Sequence, residues 1–187
     1  MARSKRIQYL AQLTQGFDRV LDIGTDHGFV LEIAFKNHWI KSAIASDLRE
    51  KPLEQAKKNL SGYPVEYVIS NGFENIKQDF DLAIIAGMGA YLISDILDKA
   101  PQGNQIYFLQ ANEKIEVLRA YLVDHGFSIM DEYIMYDKFY YVILKVQRGQ
   151  MVLSEEDLYL GPKLKEKPEA LPYYMKKISQ IAKILPK

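Results

Sequence analysis

Cysteine is absent from the 187 residues of this chain, and neither sign of charge is in excess. The first absence excludes disulfide frameworks, thiolate metal sites and a cysteine nucleophile, and it fits the reducing environment of the cytoplasm. The charge balance, 24 basic against 24 acidic residues, excludes a protein that binds nucleic acid through its overall charge. It leaves room for a local basic patch.

Long apolar runs and metal-binding spacings are also missing. The longest apolar run, 82–93, contains two glycines and is too short to cross a bilayer, so we expect no membrane anchor. The three histidines are scattered, and no carboxylate spacing resembles a metal site. Neither a Gly-x-Ser-x-Gly nucleophile elbow nor a phosphate-binding Gly-Lys-Ser/Thr loop is present.

The sequence does contain an alternation of short apolar runs and helical stripes. After an amphipathic N-terminal helix, the pattern predicts five strand–helix units, with strands near 20–23, 43–46, 65–69, 82–86 and 105–109. Such alternation is typical of a parallel sheet. Two further strand-like segments, 127–136 and 139–147, are joined by only two residues, which requires an antiparallel hairpin.

These elements predict an α/β fold with a seven-stranded, mostly parallel sheet that ends in an antiparallel hairpin. The arrangement is similar to the Rossmann-like architecture of class I S-adenosylmethionine (SAM)-dependent methyltransferases, in which the last strand alone is antiparallel. We expect this domain to span residues 1–150. Residues 151–187 are richer in proline and lysine, and an apolar stripe over 169–185 predicts a short helical tail.

A glycine corner at the end of the first strand is the strongest local signal. It contains Asp22, Gly24, Asp26, His27 and Gly28. Glycines there let the backbone turn tightly and let a ligand lie against the strand ends. The pattern differs from the Gly-x-Gly-x-x-Gly fingerprint of dinucleotide-binding proteins. Asp26 inside the loop also disfavours a pyrophosphate, because both groups are negatively charged. Two acids suit a ligand with a positive end, such as SAM; the alternative is a structural corner with exposed acids.

Polar residues also follow the second and third strands. Asp47 can accept hydrogen bonds from both hydroxyls of a ribose, although an Asp after a strand is also a common helix cap. Asn71, followed by glycine, can bond an adenine edge while Leu48 or Phe73 covers the face of the base. An ordinary Asn-Gly turn is an equal alternative.

The fourth and fifth strands end in further candidates. Ala86, Gly87 and Met88 end the fourth strand, where glycine allows close approach of a flat ligand or base. The acidic-or-Asn plus Pro-Pro sequence of amino-directed nucleic-acid methyltransferases is absent here, which disfavours methylation of an exocyclic amine. Gln110 and Asn112 end the fifth strand and can read the Watson–Crick edge of an adenine; paired amides are also ordinary helix caps.

Basic residues gather at the two ends of the chain. Arg3, Lys5 and Arg6 fall in the first predicted helix. A second group falls in the tail: Lys163, Lys165, Lys167, Lys176, Lys177 and Lys183. Both groups are candidates for contacts with phosphates. The alternative for the tail is a solvated face on which glutamates compensate the lysines.

Six segments together carry a more specific signal: DIGTDHGF (22–29), AIASD (43–47), SNGF (70–73), IAGMGA (85–90), LQAN (109–112) and YLGPKLKEKP (159–168). They resemble the bacterial tRNA (adenine(22)-N1)-methyltransferase family. The resemblance runs from residue 5 to about residue 147, plus the start of the tail. It implies a SAM-dependent enzyme that methylates N1 of an adenine in the D-arm region of tRNA.

The resemblance also implies roles for individual residues. It places these in cofactor motifs: Asp22, Gly24, Asp47, Leu48, Asn71, Gly72, Ala86 and Gly87. It places these at the substrate face: Asp26, His27, Met88, Gln110 and Asn112. This chain departs from the family pattern at Asn71, usually Asp, at Ala111, usually Pro, and at Ala90, usually Gly. Family members also carry a longer helical C-terminal domain, so residues 151–187 are expected to be a reduced version of it.

A mechanism follows from the chemistry of adenine. Methylation of N1 puts positive charge on the ring, and a nearby carboxylate can stabilise that charge or accept a proton. We assign this catalytic role to Asp26, with His27 either orienting it or contacting a phosphate. The alternatives are a methyltransferase for a small molecule or a protein, and a non-catalytic RNA-binding module with a degenerate SAM pocket. We expect a monomer.

Overall fold

The computed structural model describes residues 4–183 of the chain. Its strands are β1 (Arg19–Ile23), β2 (Ser42–Asp47), β3 (Val65–Ile69), β4 (Leu82–Met88), β5 (Ile106–Ala111), β6 (Phe127–Asp137) and β7 (Phe139–Arg148). Its helices are α1 (Lys5–Gln12), α2 (Phe29–Lys36), α3 (Glu50–Asn59), α4 (Ala90–Leu97), α5 (Ile115–Asp124), α6 (Glu155–Leu160) and α7 (Leu171–Ala182). Within 4–183, no helix has the length and apolar character needed to cross a membrane.

The seven strands form one sheet in the order β3-β2-β1-β4-β5-β7-β6. Strands β1 to β5 are parallel, whereas β7 runs antiparallel to both of its neighbours. The predicted fold is therefore confirmed. The order reverses between β1 and β4, and ligands bind at such reversals, outside the carboxyl ends of the strands.

The sheet is covered on both faces, which explains its continuously apolar strands. In β1, Leu21 and Ile23 pack in one cluster with side chains of α4 and α5. Val20, which directly precedes Leu21, points to the other face and packs in a second cluster with side chains of α1, α2 and α3. A parallel strand with both faces buried has no position for a polar residue until its end, where Asp22 begins the glycine corner.

The β6–β7 hairpin is tighter than the sequence predicts. Its strands pair as far as Asp137 with Phe139, so Lys138 alone forms the turn. Lys138 adopts a left-handed conformation with φ of 63°. The hairpin therefore places Phe139 at its tip.

A buried ion pair fixes the start of the tail. Arg119 Nε and Glu132 Oε1 are 2.8 Å apart, and both side chains are fully buried. The second carboxylate oxygen of Glu132 accepts from the backbone N–H groups of Lys163 and Leu164 at 2.9 and 2.8 Å. Arg119 also donates to the carbonyl of Leu158 at 2.8 Å. We call these five residues the tail latch.

The tail latch explains one glycine of the 159–168 motif. Gly161 has φ of 92°, and a Cβ there would lie 2.5 Å from Glu132 Oε2 and 2.6 Å from Arg119 Nη2. Beyond the latch, Ala170 and Tyr173 belong to the buried core. The division into residues 1–150 and 151–187 stays a prediction, and the latch shows that the two stretches share buried contacts.

Candidate active site

The glycine corner brings Asp22 to the reversal between β1 and β4. Its carboxylate is almost fully buried and accepts a hydrogen bond from Thr25 Oγ1 at 2.7 Å. The loop is tied to β2, because the N–H groups of Gly24 and Thr25 both donate to the carbonyl of Ser46. Gly24 takes φ of 74° and Gly28 takes φ of 71°, conformations that glycine adopts at no steric cost.

The electrostatics of this corner favour a cationic ligand. Burial raises the pKa of Asp22 to about 6; the Thr25 hydrogen bond opposes the rise, and the carboxylates of Asp47 and Asp26 add to it. Among residues 4–183, no basic side chain forms an ion pair with Asp22. A positive group beside Asp22 would offset the cost of burying this negative charge, because it stabilises the ionised carboxylate.

Asp47 ends β2 beside this corner. Its Oδ1 accepts the backbone N–H of Arg49 at 2.9 Å, while Oδ2 has no hydrogen-bond partner among the described residues. That oxygen can accept from a ribose hydroxyl. The next residue, Leu48, is 65% exposed, which suits a side chain that covers a base.

The turn after β3 resolves one choice that the sequence left open. Phe73 is buried in the core, with its ring stacked against Phe80, so Leu48 rather than Phe73 is free to cover an adenine. Asn71 is exposed, and its amide donates to Glu74 Oε1 at 3.2 Å. Gly72 has φ of 59°, so the pair also forms the Asn-Gly turn of the alternative reading.

The end of β4 is distorted toward the corner. Gly87 has φ of 81°, and the pairing with β5 shifts register between Ala86 and Met88. The terminal methyl of Met88 lies over Gly24, where any Cβ would collide with it. The predicted cofactor residues of β1 and the predicted substrate residue of β4 therefore touch.

A chain of hydrogen bonds joins the substrate-face residues. Arg6 Nη1 donates to Gln110 Oε1 at 2.8 Å, Gln110 Nε2 donates to Asn112 Oδ1 at 3.2 Å, and Asn112 Nδ2 donates to the carbonyl of Gly87 at 2.8 Å. The guanidinium of Arg6 also lies over the ring of Tyr141, 5.4 Å from its centroid. Arg6, expected on an outer RNA-binding surface, thus stands at the site itself.

Of the other N-terminal candidates, Lys5 falls within the described residues and does not line the cavity beside Arg6. Lys5 is exposed, and its backbone N–H donates to Asp137 Oδ2 at 2.9 Å. Arg3 lies outside the described residues. A cavity of about 560 Å³ opens next to Arg6. We call it the hairpin cleft; its lining includes Arg6, Gly87, Asn112, Phe139, Tyr140, Tyr141, Tyr173, Lys176 and Lys177.

Asp26 and His27 line a separate cavity of about 380 Å³ beside α3. Asp26 has φ of 50° and an exposed side chain, and its Oδ1 lies 3.7 Å from His27 Nε2. The His27 ring stacks on Phe29, and its carbonyl accepts from Asn59 at 2.9 Å. The predicted catalytic pair is therefore together, but it does not line the hairpin cleft.

Sequence reasoning missed Thr25, Phe139 and Tyr141. Thr25 orients Asp22, and its position three residues after an acid in a tight turn is a local signal for such a bond. The two aromatic residues reach the site only through the pairing of β7 with β6 and β5, which no local pattern reveals. Among residues 4–183, no three or more His, Asp or Glu side chains are grouped so that they could hold a metal ion.

The residues present fit SAM: a buried carboxylate without a cation at Asp22, an open carboxylate oxygen at Asp47 and an exposed apolar side chain at Leu48 lie at the carboxyl ends of the neighbouring strands β1 and β2. With the strand order, these features define a class I SAM-dependent methyltransferase. A family model described as tRNA (adenine(22)-N(1))-methyltransferase matches residues 20–187. The chain belongs to this family.

Individual proteins agree with this assignment. The tRNA (adenine(22)-N(1))-methyltransferase of Bacillus subtilis is 29% identical over 192 residues, which cover 95% of this chain and 80% of that protein. A Streptococcus pneumoniae tRNA (m1A22) methyltransferase structure in complex with SAM has a TM-score of 0.87 at 31% identity, covering 98% of this chain and 92% of that one. An M. capricolum structure with S-adenosylhomocysteine has a TM-score of 0.84 at 28% identity, covering 98% and 87%.

Proposed function

We propose that this chain transfers the methyl group of SAM to N1 of adenine 22 in tRNA, the reaction for which its family is named. One observation carries the proposal: Met88 contacts Gly24 of the corner, while the carbonyl of the adjacent Gly87 accepts from Asn112, whose own oxygen accepts from Gln110. Groups suited to a cationic cofactor and groups suited to an adenine edge thus meet at one reversal of the sheet.

Different residues of the chain would bind the cofactor and position the adenine. Asp22, Asp47, Leu48 and Asn71 would hold the cofactor, which supplies an electrophilic sulfonium methyl group when bound. Asn112, which is exposed at the cleft, would orient the adenine so that the N1 lone pair faces that methyl. Gln110 is fully buried and bonded to Arg6 and Asn112, so it would hold Asn112 in place. Positioning of this kind can supply about 7–11 kcal/mol of a barrier.

Asp26 would complete the site from the α3 side. Its exposed carboxylate is the group that we assign to the positive charge that develops on the adenine ring, either as a counter-charge or as the acceptor of a proton from the 6-amino group. His27, 3.7 Å away, would orient that carboxylate.

The function is tested with unmodified tRNA and SAM that carries a labelled methyl group. We expect label in the tRNA and a stop of reverse transcription at adenine 22, because a methyl group on N1 blocks Watson–Crick pairing. A transcript with G at position 22 is the control and should stay unlabelled. Methylation of another nucleotide, of a protein or of a small molecule contradicts the proposal, and SAM binding without any transfer favours a non-catalytic module.

The pH dependence of SAM binding tests the role of Asp22. Its pKa of about 6 in the ligand-free protein means that the proton must leave when a cation binds below that pH. SAM affinity should therefore rise between pH 5 and pH 6 and level off above, with about tenfold weaker binding at pH 5 than at pH 7.5. Calorimetry in buffers of different ionisation enthalpy measures both the affinity and the released proton.

Two substitutions provide a test and a control for this measurement. Asp22→Asn should remove the pH dependence and weaken binding at pH 7.5, whereas Asp79→Asn, an exposed acid outside the site, should leave the wild-type curve unchanged. A wild-type affinity that is flat from pH 5 to pH 7.5 contradicts the role of Asp22.

The proposal includes a cytoplasmic location, where a tRNA substrate is available, and a monomeric state. Light scattering with and without tRNA measures the oligomeric state directly.

A further inference from the structure

The hairpin cleft opens directly beside the substrate end of the proposed methyl-transfer site. Gly87 and Asn112, which belong to the strand ends of that site, line the cleft. Phe139 of the hairpin tip and Lys176 and Lys177 of α7 line it as well. A polymer whose reacting unit enters the site would therefore lay its neighbouring units along this cleft.

The walls of the cleft are aromatic. Phe139 follows the left-handed Lys138 and keeps 65% of its surface exposed. Tyr140 packs against Tyr173 of α7 with ring centroids 5.7 Å apart, so the wall is fixed by contacts within the protein. An exposed ring beside such a wall offers a face on which a nucleic-acid base can stack.

The charge along the cleft has one sign. Arg6, Lys176 and Lys177 line it, and within the part of the chain that the structure describes no carboxylate does. The ammonium groups of Lys176 and Lys177 lie over the rings of Tyr140 and Tyr173, at 5.6 and 4.9 Å from their centroids. A cleft of net positive charge in a chain of zero net charge favours an anionic ligand.

Lys165 and Lys167, earlier in the tail, differ because each forms ion pairs with carboxylates. Lys165 pairs with Glu156 and Asp157, at 3.0 and 2.9 Å, and Lys167 pairs with Asp131 at 2.7 Å. Lys176 and Lys177 have no carboxylate partner among residues 4–183. The tail therefore separates into a neutralised segment near the latch and a cationic helix at the cleft.

We propose that the hairpin cleft binds the nucleotides that flank the target adenine, with a base stacked on Phe139 and the adjoining phosphates held by Lys176 and Lys177. This inference rests on the proposed function, because it states how that substrate is held. Enzymes that act on a base extrude it or take it from a single strand. Cationic grooves with aromatic side chains bind single-stranded nucleic acid with little dependence on its sequence. The hairpin cleft would hold the strand in this way once the adenine has left the base stack.

Two variants separate the contributions of stacking and charge. Phe139→Ala removes an exposed ring and should weaken tRNA binding about 5- to 100-fold. The double variant Lys176→Gln with Lys177→Gln should reduce the slope of log affinity against log salt concentration by about 1.4. Fluorescence anisotropy with labelled, unmodified tRNA, between about 50 and 200 mM salt, measures both. SAM affinity should stay within about twofold of wild type.

Matched controls come from outside the cleft. Tyr159→Ala removes an aromatic side chain of α6 that is 57% exposed. Lys36→Gln with Lys41→Gln removes two exposed lysines from the opposite, amino-terminal edge of the sheet. Both controls should leave tRNA affinity, salt slope and methylation unchanged.

The outcomes distinguish a failure of this inference from a failure of the proposed function on which it rests. If wild-type protein methylates tRNA and both cleft variants bind tRNA like wild type, the inference is overturned and the proposed function stands. An equal loss in the cleft variants and the controls also overturns it. If wild-type protein binds SAM but neither binds nor methylates tRNA, the proposed function fails; binding of an acidic peptide in the cleft would then identify a protein partner instead.

Discussion

Replacement of Glu132 by Ala is expected to lower the free energy of unfolding by about 3–5 kcal/mol. The change leaves the guanidinium of Arg119 fully buried without its counter-charge. It also removes the acceptor for the backbone N–H groups of Lys163 and Leu164. Urea denaturation followed by circular dichroism measures the loss, and the midpoint should fall while the dependence on urea stays similar.

Two comparisons give this prediction its controls. Glu132→Gln keeps an acceptor but loses the charge, so it should destabilise the protein less than Glu132→Ala. Glu156→Ala breaks the exposed pair with Lys165 in the same segment and should cost less than about 1 kcal/mol. A loss below 1 kcal/mol for Glu132→Ala would show that the tail latch is not a source of stability.

The tail latch also shows why one motif was hard to interpret from sequence. The segment 159–168 is rich in lysine, which suggested contacts with RNA. In the structure its glycine makes room for a buried ion pair, and Lys165 and Lys167 pair with carboxylates. Lys163 and Lys167 contact partners that lie 31 and 36 positions away in sequence. Such contacts leave no local pattern, so only the fold separates structural from RNA-binding lysines.

The parts of the site on the strand ends were predictable because their cause is local. A strand buried on both faces is apolar throughout, so its end is marked by the first polar residue and by glycine, as at Asp22 and Gly24. Asp47 and Gln110 follow the same rule. The order of the sheet then brings these ends to one edge without any further information.

Other parts depended on contacts across the fold. Arg6 reaches Gln110 over 104 positions, because α1 lies near the end of β5. Phe73 was a candidate to cover adenine, yet it packs with Phe80 in the core. Helix α6 was not predicted, since its six residues bury no side chain and carry no apolar stripe. In each case tertiary packing decided the outcome.

Substitution of Asp26 by Asn is expected to lower the turnover number for tRNA by about 100- to 10,000-fold, the range for loss of a general acid–base group. The carboxylate is exposed, so the change disturbs no core packing. The left-handed φ of 50° at this position is tolerated by Asn about as well as by Asp. The loop should therefore keep its conformation while it loses the charge that we assign to catalysis.

Measurements of SAM affinity decide how such a loss is interpreted. Single-turnover methylation of tRNA gives the rate, and calorimetry gives the SAM affinity, which should stay within about twofold of wild type. Asp79→Asn is the matched control, an exposed acid distant from the corner, and should keep full turnover. Unchanged turnover in Asp26→Asn and Asp26→Ala contradicts the catalytic role. A loss confined to SAM affinity would instead make Asp26 a cofactor-binding residue beside Asp22, since its carboxylate already adds to the raised pKa of Asp22.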